Sequence, residues 1–554
     1  MFFNSRWIAE TRTCFVPDGT AKPSAAVYIC TMHNFRIFCL PALIIVFALR
    51  LAAQPVTPYS ITLEEVTYAS WPGLHSFVSG EWEGKRLVVC GRIGGMHAFL
   101  PPNPFMPMEA NTSVWMFDPA TGDRWEHPVA GLPDETVNTL QSTNPQAFQR
   151  GKYLYIIGGY GHDSTAMQMR TFPSLTAVDL ELLSAALEAG TAIDGAFRTF
   201  DDPIFEVTGG EIAVMGDTIY VFGGHSFTGV YSKPAGPQFT QVYTNRLTKF
   251  TLADDGTTIT IGDVQHVLDT IAFHRRDFNF EPIMFPGEVP ALVALSGVFQ
   301  YEADWVWFEP VFVTDTGYVM DESFMQKMNN YTCPVISLYD SVTETSYHTL
   351  FGGISQYFYD EEDDELIEDL NVPFVDDIST VVRYADGTME QIVEPLTMPG
   401  LLGSNAQYWQ LPGVPQYENH VIRLNDIFGV AHIGYIFGGI DALIPNFTPS
   451  AASNRLFKVY IETEPASEVA AEITNTISVF PNPASDRITI TNTSGETVNA
   501  ITVYDALGTS RLHTQSDILH GFRKTLDLTT LAPGFYILHL ETPTGEYLQK
   551  FIRQ

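Results

Sequence analysis

The sequence has little cysteine, little positive charge and few segments with the pattern of an amphipathic helix. Five cysteines are spread over 554 residues, so neither a disulfide framework nor a cysteine metal cluster is expected. Lysine and arginine number 29 against 64 aspartates and glutamates, which gives a formal net charge of −35. Such an acidic surface repels phosphate backbones, and nucleic acid is therefore not an expected partner. The one strong helix candidate runs from Pro173 to Ala189 and is expected in a loop between strands.

Several enzyme signatures are also missing. The sequence contains no Gly-x-Ser-x-Gly elbow, no phosphate-binding loop and no His-Glu-x-x-His motif. Beyond the N-terminal segment only Cys90 and Cys333 remain, and neither stands in an evident ligand context. We therefore expect no cofactor and no bound metal. These absences favour a non-enzymatic function, although acid–base carboxylates on a β fold have no fixed spacing to search for.

The first 53 residues have the pattern of a leader. A short basic segment from Met32 to Arg36 precedes an apolar stretch over residues 37–49, and Leu51-Ala52-Ala53 offers small residues for cleavage. The apolar stretch is too short to span a bilayer, and no later run is longer. We expect a signal peptide over about 32–53, translation starting at Met32, and no transmembrane segment in the mature chain.

One sequence pattern recurs through residues 54–461: an apolar strand that ends in a pair of glycines. β-Branched and aromatic residues suit a buried strand, and glycine tolerates the positive φ of a sharp turn. The pairs are Gly94-Gly95, Gly158-Gly159, Gly223-Gly224, Gly352-Gly353 and Gly438-Gly439. The first three are 64 and 65 residues apart, which indicates a repeat. Ser296-Gly297 fills the place of a missing pair, so the sequence predicts six units.

The first unit continues into an Asp118-Pro turn and then Trp125. The glycine pair, the turn and the tryptophan resemble kelch repeats, which implies the four-stranded blades of a β-propeller. A strand from Ile61 to Trp71 has no pair before it, and the last unit stops one strand short after Tyr460. The N-terminal strand is therefore expected to close the last blade of an all-β, six-bladed kelch-like propeller over residues 54–461.

The C-terminal stretch differs from these units. A polar, acidic segment over 462–476 is typical of a linker, and residues 477–554 alternate short strands with turns, as in a small Ig-like β-sandwich. This stretch resembles the type A C-terminal sorting domain of type IX secretion, which implies the type IX machinery as a partner and a protein secreted from, or anchored at the outer cell surface of, a bacterium. The residues that carry the resemblance are Pro481, Asn482, Pro483, Pro533, Gly534, Tyr536, Lys550 and Arg553.

In kelch propellers the loop after each glycine pair lies at the mouth of the central channel. The resemblance therefore implies a ligand site formed by side chains that combine aromatic rings with hydrogen-bonding groups, as sugars require. These candidates are His97, Phe99, Tyr160, His162, His225, Phe227, Gln356, Tyr357 and Asp441. The three histidines could instead converge on a metal, or all could be ordinary loop residues; we expect no metal.

An acidic run from Asp360 to Glu365 could hold Ca²⁺, but it lacks the spacing and the glycine of a calcium loop, so a solvated acidic loop is expected.

The predicted function is a secreted or surface-displayed binding module for a glycan or a protein. One alternative is a propeller enzyme acting on a sugar with mutarotase-like acid–base chemistry. The other is a display or structural protein with no small ligand.

Overall fold

The computed structural model describes residues 56–97, 105–231, 239–301, 305–446, 449–463 and 477–554. Residues 55–554 form one compact unit. The predicted leader, 1–53, lies outside the described residues, as does the predicted linker from residue 464 to 476. Glu462 and Thr463, which were assigned to that linker, instead belong to a strand.

Six mainly antiparallel sheets follow one another between residues 59 and 463. The strands within each sheet are joined in sequence order apart from the N-terminal strand and one short strand added to the fifth sheet. Sheet 1 consists of Val78–Trp82, Lys85–Val89, Ser113–Phe117 and Arg124–Pro128. Sheet 2 consists of Gln146–Arg150, Tyr153–Ile157, Ser174–Asp179 and Phe197–Asp201. Sheet 3 consists of Glu211–Met215, Thr218–Phe222, Arg246–Asp254 and Ile259–Leu268.

The other three sheets repeat this arrangement. Sheet 4 consists of Asn279–Phe285, Val289–Leu295, Val311–Val313 and Tyr318–Met320. Sheet 5 consists of Val335–Asp340, Thr345–Ile354, Phe374–Arg383 and Met389–Thr397, with Ile422–Arg423 parallel to its first strand. Sheet 6 consists of Ala406–Gln410, Gly429–Gly438, Leu456–Thr463 and the N-terminal strand Tyr59–Val66.

The second strand of each sheet is buried because a neighbouring sheet packs on each of its faces. Side chains alternate between the two faces of a strand, so a strand covered on both sides is apolar throughout. In sheet 2, Leu154 and Ile156 share a hydrophobic core with sheet 1, whereas Tyr155 and Ile157 share one with sheet 3. The apolar segments that end in glycine pairs are therefore the buried strands that the sequence predicted.

The N-terminal strand pairs with the end of the last unit. Tyr59–Val66 runs antiparallel to Leu456–Thr463, with Ile61 opposite Ile461. The pairing predicted for this segment is present, although the strand ends at Val66 rather than at Trp71. Sheet 6 also bonds to sheet 1, because the Gly439 amide donates to the Leu74 carbonyl over 2.8 Å.

The helices are short and lie between strands. Asp134–Leu140 precedes sheet 2, and Leu180–Ala189 follows its third strand. The helix expected over 173–189 is wrong in its first half, where Ser174–Asp179 is a strand. Asp179 accepts from the Leu182 amide and begins the helix there. Single 3₁₀ turns occur at Pro107–Glu109, Asp194–Ala196, Pro203–Phe205 and Leu424–Asp426.

Hairpins beyond the glycine pairs add three smaller sheets. One contains Tyr160–Asp163, Gln168–Thr171, His225–Gly229 and Phe239–Tyr243, and joins extensions of sheets 2 and 3. The other two are the hairpins Tyr357–Asp360 with Glu365–Glu368, and Ile440–Ala442 with Ser450–Ala452.

Residues 477–554 form two further antiparallel sheets. The first contains Ile477–Phe480, Arg487–Asn492 and Phe522–Asp527. The second contains Val498–Asp505, Ser510–Ile518, Gly534–Glu541 and Glu546–Arg553. Buried Phe522 and Ile518 belong to the same hydrophobic core as Ile427 and Ala431, which adjoin or lie in sheet 6. The C-terminal sheets therefore pack directly on the preceding part of the chain.

Candidate functional site

Each of the six units turns sharply at two consecutive residues with positive φ, which we call the paired positions. Glycine dominates because space is short: a Cβ on Gly158 would lie 1.9 Å from the Val207 carbonyl oxygen. The paired positions are Cys90-Gly91, Gly158-Gly159, Gly223-Gly224, Ser296-Gly297, Gly352-Gly353 and Gly438-Gly439. The assignment of Gly94-Gly95 to the first unit is wrong, and that of Ser296-Gly297 to the fourth is confirmed.

Cys90 occupies the first paired position of sheet 1 with a φ of 62°. Its side chain is fully buried and its thiol contacts the Thr139 carbonyl. Burial raises the pKa of this thiol to about 12. Cys90 therefore behaves as a small buried side chain.

A second set of positive-φ residues lies one to three residues before the first strand of each sheet, and we call them the throat residues. They have φ values between 48° and 62°. They are Ser76, Asn144, Gly209, Asp277, Thr332 and Asn405. All six line two cavities, one of about 320 Å³ towards the paired positions and one of about 780 Å³ along the first strands.

The smaller cavity, which we call the post-pair cavity, takes one wall residue from each unit at the same place. The residue that follows each pair of paired positions lines it in every unit. These post-pair residues are Arg92, Tyr160, His225, Val298, Ile354 and Ile440. Six strand ends therefore converge on one space of about 320 Å³, a size that suits a small organic ligand.

Aromatic rings line one side of the post-pair cavity. Phe105 packs edge-on against Tyr160 at 5.3 Å and lies parallel to His97 at 4.2 Å. Tyr231 contacts both His97 and Phe227, at 5.3 Å and 5.5 Å between ring centroids. These rings offer the flat apolar faces against which sugar rings stack.

Two arginines and two histidines supply the polar groups. Arg92 donates to Glu109 over 2.5 Å, and Arg276 lies 3.5 Å from Asp277. Burial and the nearby Arg92 lower the pKa of His75 to about 3. Burial, together with Arg276, also holds the pKa of His225 well below its ordinary value. Both histidines are therefore neutral at pH 7, while the arginines carry the positive charge.

Asp277 is a throat residue whose carboxyl group has an unusual environment. Burial raises its pKa, and the adjacent Arg276 opposes that shift. Asp277 lines both cavities. A carboxyl group of raised pKa and a neutral imidazole in the lining of one cavity can exchange protons with a bound molecule.

The larger cavity, which we call the first-strand cavity, contains two further carboxyl groups, Glu211 and Glu281. Burial raises the pKa of Glu281 to about 7. Burial raises the pKa of Glu211 well above its ordinary value, and the charge of Glu281 adds to this shift. Glu281 is therefore held partly protonated near neutral pH, and the pKa of Glu211 is shifted in the same direction.

The predicted ligand-binding residues divide into two groups. His97, Tyr160, His225 and Phe227 line the post-pair cavity. The four that do not line it are His162, Gln356, Tyr357 and Asp441. Phe99 lies outside the described residues.

Gln356 is instead buried in a hairpin, where its side-chain amide donates to Glu368 over 2.7 Å. The alternative in which three histidines converge is not what the structure has, since of the three only His97 and His225 line the post-pair cavity. Within the described ranges no three His, Cys, Asp or Glu side chains approach one another as metal ligands would. The acidic run over 360–365 forms the turn of the Tyr357–Glu368 hairpin, where Asp360 accepts from the amides of Glu362 and Asp363.

The cavity residues that sequence reasoning missed are mainly charged or on loops: His75, Arg92, Phe105, Tyr231, Arg276 and Asp277. Arg92 was missed because the glycine pair of the first unit was assigned to Gly94-Gly95 instead of Cys90-Gly91. Arg276 and Asp277 form an ion pair at 3.5 Å. The signal that could have found them is their position, because both lie within three residues of the start of a first strand.

The predicted sorting-signal residues meet at one end of the C-terminal sheets. Asn482 donates to the Lys550 carbonyl over 2.8 Å and accepts from the Ile552 amide over 3.1 Å. Tyr536 stacks on Phe551 at 5.6 Å, and its hydroxyl donates to the Ala532 carbonyl. Segments far apart in sequence thus clamp the last strand.

The remaining motif residues surround this clamp. Gly534 begins the strand that pairs with the last one and lies opposite Arg553. Pro481 and Pro483 flank Asn482, whereas Pro533 precedes Gly534. Arg553 lies 3.8 Å from Asp486. The motif residues therefore form one local structure.

A family model, the secretion system C-terminal sorting domain, matches residues 478–554. The chain carries a type IX secretion sorting domain. This domain implies interaction with the type IX machinery, and it directs export followed by attachment at the outer cell surface or release. The predicted localisation is confirmed. No curated protein matches the chain. Among the described residues no helix is both long enough and apolar enough to cross a membrane.

Proposed function

We propose that residues 56–463 form a six-bladed kelch-like propeller that binds a glycan or a protein ligand in the post-pair cavity, and that an Ig-like sorting sandwich delivers it to the cell surface. The observation that carries this proposal is the convergence of all six post-pair residues on one cavity. A repeat that places the same position of every unit around a shared space is the arrangement expected of a propeller's ligand site.

The proposed ring is supported by bonds from one unit to the next. The second paired residue of one unit donates its amide to a carbonyl near the throat of the following unit in five of the six junctions. These bonds are Gly91 to Ser142, Gly159 to Val207, Gly224 to Arg275, Gly353 to Leu402 and Gly439 to Leu74. The last of them joins sheet 6 to sheet 1, as a closed ring of blades requires.

A glycan is the favoured ligand class because the lining of the cavity combines aromatic rings with hydrogen-bonding groups. The Tyr160 and Phe105 rings offer apolar faces, while His225, Asn144 and Asn371 offer donors and acceptors. Sugars require both kinds of contact, since their ring faces are apolar and their hydroxyls must be hydrogen-bonded when they leave water.

A printed array of neutral and acidic oligosaccharides tests this function directly. The exported protein should bind a subset of them, and Ile354→Trp should abolish binding because the larger side chain occupies the cavity. The matched control is Val242→Trp, at a residue that is 59% exposed and outside the cavity lining. Binding that survives Ile354→Trp would contradict the post-pair cavity as the site, and no binding of any oligosaccharide by the wild type would contradict a glycan ligand.

A second candidate function is acid–base catalysis on a sugar. It is favoured by the raised pKa of Asp277 and the neutral His225 at the same cavity. Anomer exchange would require one group to accept the proton of the anomeric hydroxyl while the other protonates the ring oxygen, so that the bond from C1 to the ring oxygen breaks and then re-forms on the other face of C1. Anomer exchange of reducing sugars, followed by NMR, should then be accelerated by wild type and not by Asp277→Asn. Equal rates would leave binding as the function.

A further inference from the structure

Two arginines of the post-pair cavity retain unused donors. Arg92 is 4% exposed and Arg276 is 9% exposed. The Nε atom of each is buried and has no hydrogen-bond partner among the described residues. A buried N–H group without an acceptor is costly, and native structures leave few of them.

His225 lies at the same place. Its Nε2 atom is 3.5 Å from Arg276 Nη1, at the outer limit of a hydrogen bond. Its Nδ1 atom is buried and has no partner within the described ranges. A bound group that supplied acceptor oxygens would satisfy both arginines.

We infer that the post-pair cavity takes an acidic sugar, whose anionic oxygen group, a carboxylate or a sulfate, is bound by Arg92 and Arg276. The inference rests on the proposed ligand-binding function and names the ligand's charge. The planar guanidinium group forms paired bonds with both kinds of anion. Aromatic faces next to the arginines would hold the sugar ring, since Arg92 lies over Phe105 at 5.0 Å.

The carboxylate partners that the arginines already have do not use all of their N–H donors. An arginine has five N–H donors, and Glu109 occupies one Nη2 contact of Arg92. Asp277 Oδ2 lies 3.5 Å from the Nε atom of Arg276, an ion pair without a hydrogen bond, which leaves the Nη donors of Arg276 unused by this carboxylate. Both arginines therefore keep donors that their own carboxylates do not use.

The net charge of −35 does not decide the charge of the ligand. Exposed charges farther away than about 8 Å are largely screened at physiological ionic strength. Groups that touch the ligand in a buried site are screened much less. The local arginines should therefore dominate inside the cavity, while the acidic surface slows the approach of anions.

Two measurements test the inference on the exported protein. The first compares array binding of paired oligosaccharides that differ only in carrying a uronate or sulfate group. The second measures the shift in Tm with sodium glucuronate, sodium sulfate or glucose, each at the same ionic strength set with NaCl. The variants are Arg92→Gln and Arg276→Lys. The control is Arg170→Gln, which removes a positive charge that pairs with Asp163 outside the cavity lining.

We expect the acidic member of each bound pair to bind at least ~10-fold more tightly to the wild type than its neutral partner. This preference should disappear in Arg92→Gln and weaken in Arg276→Lys. It should persist in the control, Arg170→Gln. A larger shift with glucuronate than with sulfate would identify carboxylates as the source of the anionic group, and the reverse result would identify sulfates.

The failure of the inference can be told apart from that of the proposed function. Equal binding of acidic and neutral partners would overturn the inference and leave the binding function standing. An empty array would remove the glycan function; glucuronate or sulfate shifts lost in Arg92→Gln would then still support the anion site. Absence of both array binding and any Arg92-dependent shift would overturn both.

Discussion

The Ser79 hydroxyl donates to Gln407 Oε1 over 2.7 Å and so joins the first strand of sheet 1 to the first strand of sheet 6. The two residues are 328 positions apart in sequence. Gln407 also donates to the Phe77 carbonyl over 2.8 Å. One amide side chain therefore links the two ends of the series of sheets.

Gln407→Leu should lower the free energy of unfolding by about 1–3 kcal/mol, because it leaves the Phe77 carbonyl and the Ser79 hydroxyl without their partner. Urea unfolding measures the change. The control is Gln265→Leu, at an exposed residue of an outer strand, which should change stability by less than about 0.5 kcal/mol. Equal effects of the two variants would show that the link between sheets 1 and 6 is not important.

Gly158→Ala should destabilise far more than Gly151→Ala, although both glycines have positive φ. A Cβ at Gly158 would collide with the Val207 carbonyl oxygen at 1.9 Å, whereas a Cβ at Gly151 meets nothing within 4 Å. We expect a loss of about 1 kcal/mol for Gly151→Ala from strain alone, and of about 3 kcal/mol or more for Gly158→Ala. Similar midpoints in urea would contradict the close packing at the paired positions.

These paired positions also show what the sequence could and could not predict. Glycine identifies most of them because backbone crowding excludes other residues. The first position of a pair nevertheless accepts Cys90 at 62° and Ser296 at 63°. The sequence also has Gly94-Gly95 four residues after Cys90. The first unit's glycine pair was therefore assigned to Gly94-Gly95, and Arg92 was not recognised as the residue after the true pair.

The throat residues could not be predicted from the sequence either, and the reason is different. Its six residues share a backbone conformation rather than a side chain, since serine, asparagine, glycine, aspartate and threonine all occur there. Arg276 enters the cavity only because it precedes Asp277 at this turn. Strand periodicity predicts which face is buried, but it does not predict which charged residue at a strand's end faces a shared space.

Stability should depend on pH through Glu281. Burial raises its pKa from 4.5 to about 7, so the folded protein holds this proton more tightly than the unfolded chain. The free energy of unfolding should therefore fall as pH rises from about 4.5 to 7, by on the order of 2–3 kcal/mol for this group. Glu281→Gln should remove that part of the pH dependence.

Urea unfolding at pH 5 and pH 8 measures the difference between wild type and Glu281→Gln, so that the pH dependence of all other groups cancels. Glu83→Gln, at an exposed turn residue, is the control and should behave as wild type. If wild type and Glu281→Gln lose the same stability between the two pH values, Glu281 is not protonated in the folded state.

Asn482→Ala should loosen the last strand of the sorting domain and reduce export. The change removes bonds of 2.8 Å and 3.1 Å to the Lys550 carbonyl and the Ile552 amide. We expect a loss of about 1–3 kcal/mol from that domain. Surface exposure on intact cells, measured by accessibility to added protease, should fall accordingly.

The control for Asn482→Ala is Asn499→Ala, a partly exposed residue within Val498–Asp505 of the same domain. Its surface exposure should match that of wild type. Full export of Asn482→Ala would show that the type IX machinery does not require the clamp around the last strand.

The most direct test of the central claim compares two histidines of the same small sheet. His225 lines the post-pair cavity, and His162 does not. Isothermal titration with the oligosaccharide that binds most strongly on the array should show about 10-fold or greater weakening for His225→Ala, which loses a buried hydrogen-bonding group. His162→Ala should bind within about twofold of wild type, because surface changes away from a site have small effects. Equal loss in both variants, or loss in His162→Ala alone, would place the ligand outside the post-pair cavity.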